Sequence, residues 1–191
     1  MLFDSRLRQT FQDHLQEQEF FESENVILRP YKAKSDEITS HFLQKDWLQI
    51  LPNVNENILI DMSEAENVVI LSAFDKDMCQ LFGVIVLMEQ NNRISFHGGV
   101  CKHDSYHTLL AYEGLNEILH ILVDNGFDVY VTCNETNVQA DRLQRRFGFV
   151  EYEAKQGVSY KHLDVERFLN CDISQHLTRC MAQKTRIKEN I

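Results

Sequence analysis

The chain has 191 residues, of which 43% are hydrophobic and 25% charged, with 2 prolines and 7 glycines. That composition fits one globular domain over 1–191 and excludes a disordered chain or one divided by a long Pro/Gly linker. A formal charge of −10 argues against general nucleic-acid binding, because phosphate backbones are held by surplus Lys and Arg, and it favours a cationic partner such as an amine. The opening residues lack the charged-then-apolar order of a secretion signal. The longest apolar runs, 68–71 and 81–88, are too short to span a bilayer. Cysteines at 79, 101, 133, 171 and 180 are odd in number and lack paired spacing, which predicts reduced thiols in a cytoplasmic protein.

In chain order, helical spacing of Leu7, Phe11, His14 or Leu15 and Gln18 predicts a helix over 4–20. Residues 26–30 read as a short strand that ends on Pro30. Two helices should follow, one opening at Ser35 with Ile38, Phe42 and Leu43 on one face, the other over 55–62. Residues 68–74 are nearly all apolar, as in a strand buried on both faces. Turns at 75–77 and 90–92 then divide an antiparallel meander of 68–74, 79–88 and 93–100. The period changes over 108–123, where Leu109, Tyr112, Leu115, Ile118 or Leu119 and Leu122 recur at helical spacing before Asn125-Gly126. A strand at 128–133, a helix at 138–147 and strands at 150–154 and 158–163 complete the core. The tail beyond about 170 reads as an appended helix or a frayed end. A helix between strands 93–100 and 128–133 implies that these two run parallel. The expected fold class is therefore α/β (α+β), a mixed and mainly antiparallel sheet of about seven strands with helices on both faces.

The segment Asn137-Val-Gln-Ala140-Asp-Arg-Leu143-Gln-Arg-Arg-Phe147-Gly148-Phe149 lies between the predicted strands 128–133 and 150–154. It resembles the stretch of the GNAT superfamily of N-acetyltransferases in which Asn opens a helix that ends in Gly-Phe. The element order over about 25–165 is also the GNAT order. Tyr112-Glu113-Gly114-Leu115 is similar to the ribosomal-protein alanine acetyltransferase branch. The resemblance implies an acetyl-CoA-dependent N-acyltransferase that modifies an amine of a small molecule or protein. It also implies acetyl-CoA as co-substrate, with Asn137 near the CoA arm. Main-chain donors from Gly99, Val100 or Cys101 would face the thioester. The amides of His107, Thr108, Leu109, Leu110 and Ala111 would cradle the pyrophosphate at a helix start. Here the loop departs from the family pattern: Tyr106 stands for a basic or amide residue, and Leu109 for the first glycine. The competing reading is a degenerate GNAT domain that binds or scaffolds without catalysis.

The chemistry needs a base for the amine and an acid for the leaving thiolate. His97, in mid-strand, is the candidate base, since an imidazole titrates near neutrality. Glu89 and Glu113 are poorer candidates. The family's frequent Tyr, seven residues beyond the Asn, is Gln144, and the Ser of the alanine branch is Ala140. Neither is an acid, which leaves Tyr160, with Tyr152 beside it, as the candidate from the last strands. Cys101, His103, Asp104 and His107 are close enough in sequence to raise zinc binding, but they lack the regular spacing of a four-ligand site. Phe42, Trp47, Leu48 and Leu51 are expected mainly in the core, with Trp47 a candidate for the acceptor wall.

Overall fold

A computed structural model describes residues 6–14, 21–31, 61–62, 64–77, 80–101 and 105–171, with the side chains at 12–14, 21–22, 97–101 and 105–106 outside the description. The elements are α1 (Arg6–His14), β1 (Phe21–Glu22), β2 (Val26–Pro30), β3 (Val68–Asp75), β4 (Gln80–Gln90) and β5 (Arg93–Cys101). They continue with α2 (Ser105–Asp124), β6 (Asp128–Asn134), α3 (Val138–Arg146), β7 (Phe149–Lys155), β8 (Val158–Leu163) and α4 (Val165–Leu169). Eight strands form one sheet in the order β1-β2-β3-β4-β5-β6-β8-β7. Among the described strands only β5 and β6 pair in parallel, on either side of the α2 crossover.

Local chemistry explains the connections. Asn91 and Asn92 both sit at positive φ (53° and 62°), the left-handed conformation that a two-residue hairpin turn requires and that Asn tolerates. Gln156 and Gly157 repeat this between β7 and β8, with φ 54° and 76°. Asn137 caps α3 by accepting the Ala140 amide at 3.1 Å.

β3 shows how the sheet divides two cores. Val69 and Leu71 join a large cluster with Leu7 and Phe11 of α1, Leu110, Ile118, Leu119 and Leu122 of α2, and Phe168 of α4. Val68, Ile70 and Phe74 point the other way and pack with Tyr31, Leu81, Val84 and Val86. This is the period-two alternation of a strand covered on both sides. The two helices expected after β2 lie outside the described residues, except for helical residues 61–62, of which Met62 packs against the second cluster. Among the described residues, no helix is long and apolar enough to cross a membrane.

One helix starts earlier than expected, and two short elements were not anticipated. α2 starts at Ser105 rather than at 108. Among its described side chains the first in the core is Leu110, so the apolar spacing starts after the first turn. β1 is a two-residue edge strand against Leu28 and Ile27, shorter than any pattern could mark. α4 follows β8 directly, capped by the Asp164 carboxylate on the Arg167 amide at 3.0 Å, and buries Phe168. The two glutamates considered as bases have structural roles. Glu89 accepts the Leu7 amide at 2.8 Å at the start of α1. Glu113, buried in α2, accepts from the Ser23 hydroxyl and from the Asn25 amide at 2.7 Å, tying α2 to the turn between β1 and β2.

Gly148, between α3 and β7, has φ 86°, and a Cβ there would stand 2.8 Å from the Phe168 backbone nitrogen. Gly157 has φ 76° with nothing within 4 Å. Gly148→Ala should therefore destabilise by about 3 kcal/mol, and Gly157→Ala by about 1 kcal/mol, the cost of left-handed backbone alone. Urea unfolding checks this; equal losses would refute the close packing of α4 on Gly148.

Candidate functional site

β5 and β6 are paired only from Arg93 opposite Asp128 to Phe96 opposite Val131. Beyond those pairs the two strands follow different neighbours. On the β4–β5 ladder Leu87 faces Phe96 and Val86 faces Gly98, so His97 is an extra residue, a β-bulge. A bulge bends its strand and sharpens the local twist. β5 continues with β4 as far as Cys101, while β6 stays with β8 as far as Asn134. The sheet opens between them. Along 97–101, β5 is paired on its β4 side only, so alternate backbone N–H and C=O groups face the gap.

At this opening lies a cavity of about 300 Å³. Phe96 and Phe149, edge to face with centroids 6.3 Å apart, both line it where the strands still touch. β6 contributes Val131 to Asn134, α2 contributes Leu115, and α3 contributes Asn137, Ala140, Leu143 and Gln144. A smaller hollow of about 180 Å³, lined by Ala111 and Gly114 of α2 and by Phe82 and Gly83 of β4, shares Ile85, Leu115 and Leu143 with it. The two adjoin as one groove under α2.

Behind α3 is a buried charge. Lys161 of β8 is 0% exposed; its ammonium donates to Gln144 Oε1 at 2.9 Å and pairs with Asp141 Oδ1 at 3.0 Å. The other Asp141 oxygen takes Arg145 Nε at 2.9 Å. Hydrogen bonds from Arg145 and then Lys161 hold the Asp141 carboxyl below the usual carboxylate range. Burial pushes the Cys133 thiol up, with the Lys161 charge opposing the shift.

Sequence comparison finds no matching family model and no matching curated protein. Solved structures do match. A GCN5-related N-acetyltransferase from Brucella melitensis superposes with a TM-score of 0.62 at 18% identity, covering 84% of this chain and 84% of that one. The PaiA N-acetyltransferase of Thermoplasma acidophilum, solved in complex with coenzyme A, gives 0.59 at 13% identity over 72% of this chain and 98% of that one. A ribosomal-protein alanine acetyltransferase from Vibrio fischeri gives 0.57 at 12% identity over 76% and 97%. The fold is the GNAT fold.

Within this GNAT fold the residues anticipated from sequence fall into three groups. His97 is the bulged residue, and Gly99, Val100 and Cys101 follow it on the open strand edge. Asn137 lines the cavity. His107 is in the first turn of α2, its ring 5.8 Å from that of Phe82; Thr108 is exposed, Leu110 is fully buried and Ala111 borders the smaller hollow. Tyr160 pairs with Thr132 on β6 and has the opposite parity to Lys161, so it stands on the sheet face away from α3. Tyr152 is on that face too, packing edge to face on Tyr130. Trp47 and its apolar neighbours, and His103 and Asp104 of the zinc candidates, lie outside the described residues. Among the described residues no cluster of His, Cys, Asp and Glu is arranged to hold a metal. The Lys161 pair was missed, although a signal for it existed: in 158–163 Lys161 has the same parity as Leu163, which faces the core.

Asp141→Ala should leave the buried ammonium with one neutral acceptor and cost about 3 kcal/mol at pH 7. Because the folded carboxyl titrates below its unfolded value, its contribution is complete above about pH 4. It is lost as pH falls through the lower folded value. The gap between parent and variant in urea unfolding should therefore shrink steadily below about pH 4. A gap independent of pH would remove the ion pair as its cause.

Proposed function

We propose that the chain is an acetyl-CoA-dependent N-acyltransferase that acts on an amine. The observation that carries this reading is the opening of β5 from β6 at the His97 bulge, with an unpaired strand edge and a 300 Å³ cavity together at one place in a GNAT fold. The residues present fit the acyl donor. An unpaired strand edge can hydrogen-bond the amides of an extended pantetheine arm, and the cavity's Phe96, Leu115, Leu143 and Phe149 suit its apolar parts. That a GNAT neighbour was solved with coenzyme A supports the same choice.

We place the pyrophosphate at the start of α2. The amides of its first turn, at 105–107, point toward the helix start, where the macrodipole favours an anion. Leu109 then stands in the second turn, where its side chain does not crowd the phosphates. Main-chain N–H groups at 97–101 would polarise the thioester carbonyl, whatever their side chains. We assign His97 as the base that takes the amine proton, since bulges re-aim the residue they contain and imidazole suits the task. Tyr160 stands on the far side of β8, and no part in the cavity is proposed for it. A charge of −10 supports a cationic acceptor.

One observation favours a second reading, binding without turnover: Cys133, its thiol pushed up by burial, is the sole titratable side chain among the described cavity residues. Two measurements decide. Acetyl-CoA at about 100 times its Kd should stabilise the parent by about 2.7 kcal/mol, read as a rise of several degrees in Tm. Ala140→Trp, which fills the cavity from α3, should abolish that rise. Absence of any rise in the parent rejects the proposal. His97→Ala should lower thiol release with a panel of amines by about 100-fold while leaving acetyl-CoA affinity unchanged. Parental activity in that variant puts the base elsewhere, and binding without thiol release establishes the second reading.

A further inference from the structure

The carboxamides around the cavity share one property. Asn137 Oδ1 is committed to the Ala140 amide at 3.1 Å, Asn134 Oδ1 to the Thr136 amide and hydroxyl at 3.1 and 2.9 Å, and Gln144 Oε1 to Lys161 at 2.9 Å. Each carboxamide has its oxygen engaged within the protein, which leaves its NH2 as the half available to a ligand. Gln144 is the most constrained of the three. An ammonium has donors and no acceptor, so only the oxygen of Gln144 can face Lys161, and the amide cannot flip. Lys161 is in turn fully buried and anchored by Asp141. Gln144 is 9% exposed, borders the cavity and makes no other hydrogen bond among the described residues. Its NH2 is not sealed from the cavity, so it is the half of Gln144 that an acceptor atom of a ligand lying there can reach.

We propose that Gln144 is a ligand-binding residue whose NH2 donates to an acceptor atom, a carbonyl oxygen or the sulfur, of the acyl-thioester arm, and that Lys161 is the positioning residue that fixes its orientation. The inference rests on the proposed acyl-CoA site. It goes further by assigning the cavity end to hydrogen-bond acceptors and by giving a buried lysine a function. An ammonium group of the acceptor substrate is excluded from this end, where it would meet NH2 donors backed by the Lys161 charge.

The test uses calorimetry with two probes: acetyl-CoA, and adenosine 3′,5′-bisphosphate, which has the phosphates but no arm. Gln144→Leu should weaken acetyl-CoA by about tenfold, the scale of one lost hydrogen bond, and leave the bisphosphate unchanged. Gln144→Glu keeps a partner for Lys161, and so keeps the fold, but turns an acceptor toward the ligand. It should weaken acetyl-CoA by more than tenfold. Lys161→Met frees the Gln144 amide to rotate and should give a smaller loss, confined to the probe that has the arm. Parental affinity for acetyl-CoA in Gln144→Glu overturns the proposal, because only a structural role would survive that change. Equal losses for both probes in Gln144→Leu overturn it as well. Failure of the parent to bind acetyl-CoA rejects the functional reading itself, and this inference falls with it.

Discussion

One inserted residue governs how this sheet is used. With His97 in register, β5 would run beside β6 for its whole length and the parallel pair would close. Because β4 pairs Leu87 with Phe96 and Val86 with Gly98, the strand instead swings with β4. β6 cannot follow, since β8 holds it through Asn134 opposite Val158. The opening is thus a conflict between two ladders, each satisfied on its own side. Its consequence is a stretch of backbone with one edge unpaired, at the mouth of the cavity. Such an edge inside a sheet persists only where something else completes it.

The opening needs a rigid surround, and the helices supply it. Tyr112 of α2 stacks on Phe147 at the end of α3, with centroids 5.8 Å apart, and Arg146 reaches the Tyr112 hydroxyl at 3.3 Å. α4 closes over the same corner, placing Phe168 4.7 Å from the His120 ring and against Gly148. α3 is short and polar, and its own propensity would not hold it. Its cap at Asn137, the turn at Gly148 and the Lys161–Asp141 pair hold it at three points. Lys161 thereby joins β8 to the helix that forms one wall of the cavity.

Much of this was legible in the sequence, and the parts that were not share a cause. The nearly unbroken apolar run 68–74 marked a strand covered on both faces, and the helix between 93–100 and 128–133 forced a parallel pair. Asn137 and Gly148 marked both ends of α3. These are local periodicities and stop signals, which a linear pattern records. The first turn of α2 was missed because the apolar spacing of 108–123 does not extend into it, and the bulge because an extra residue in one strand shows only against its partner. Lys161 is instructive in a different way. A lysine in a strand reads as exposed by type, yet its parity with Leu163 placed it inward. Where residue type and parity disagree, a buried partner is required, and Asp141 and Gln144 come from another element.

Under the proposed function two ligands of opposite character must meet, an anionic acyl donor and a cationic amine. The protein separates the interactions that attract them. Its net charge of −10 is a long-range field that draws amines to the surface and opposes the donor. The donor must therefore be won by short-range contacts: helix-start amides on α2, the free edge of β5 and carboxamide NH2 groups around the cavity. Each of these works through hydrogen-bond geometry and loses little to solvent screening, unlike a surface charge. Lys161 reconciles the two demands. Its charge is kept away from the surface and largely balanced by Asp141, so it subtracts little from the acidic field while still fixing which end of Gln144 faces the cavity.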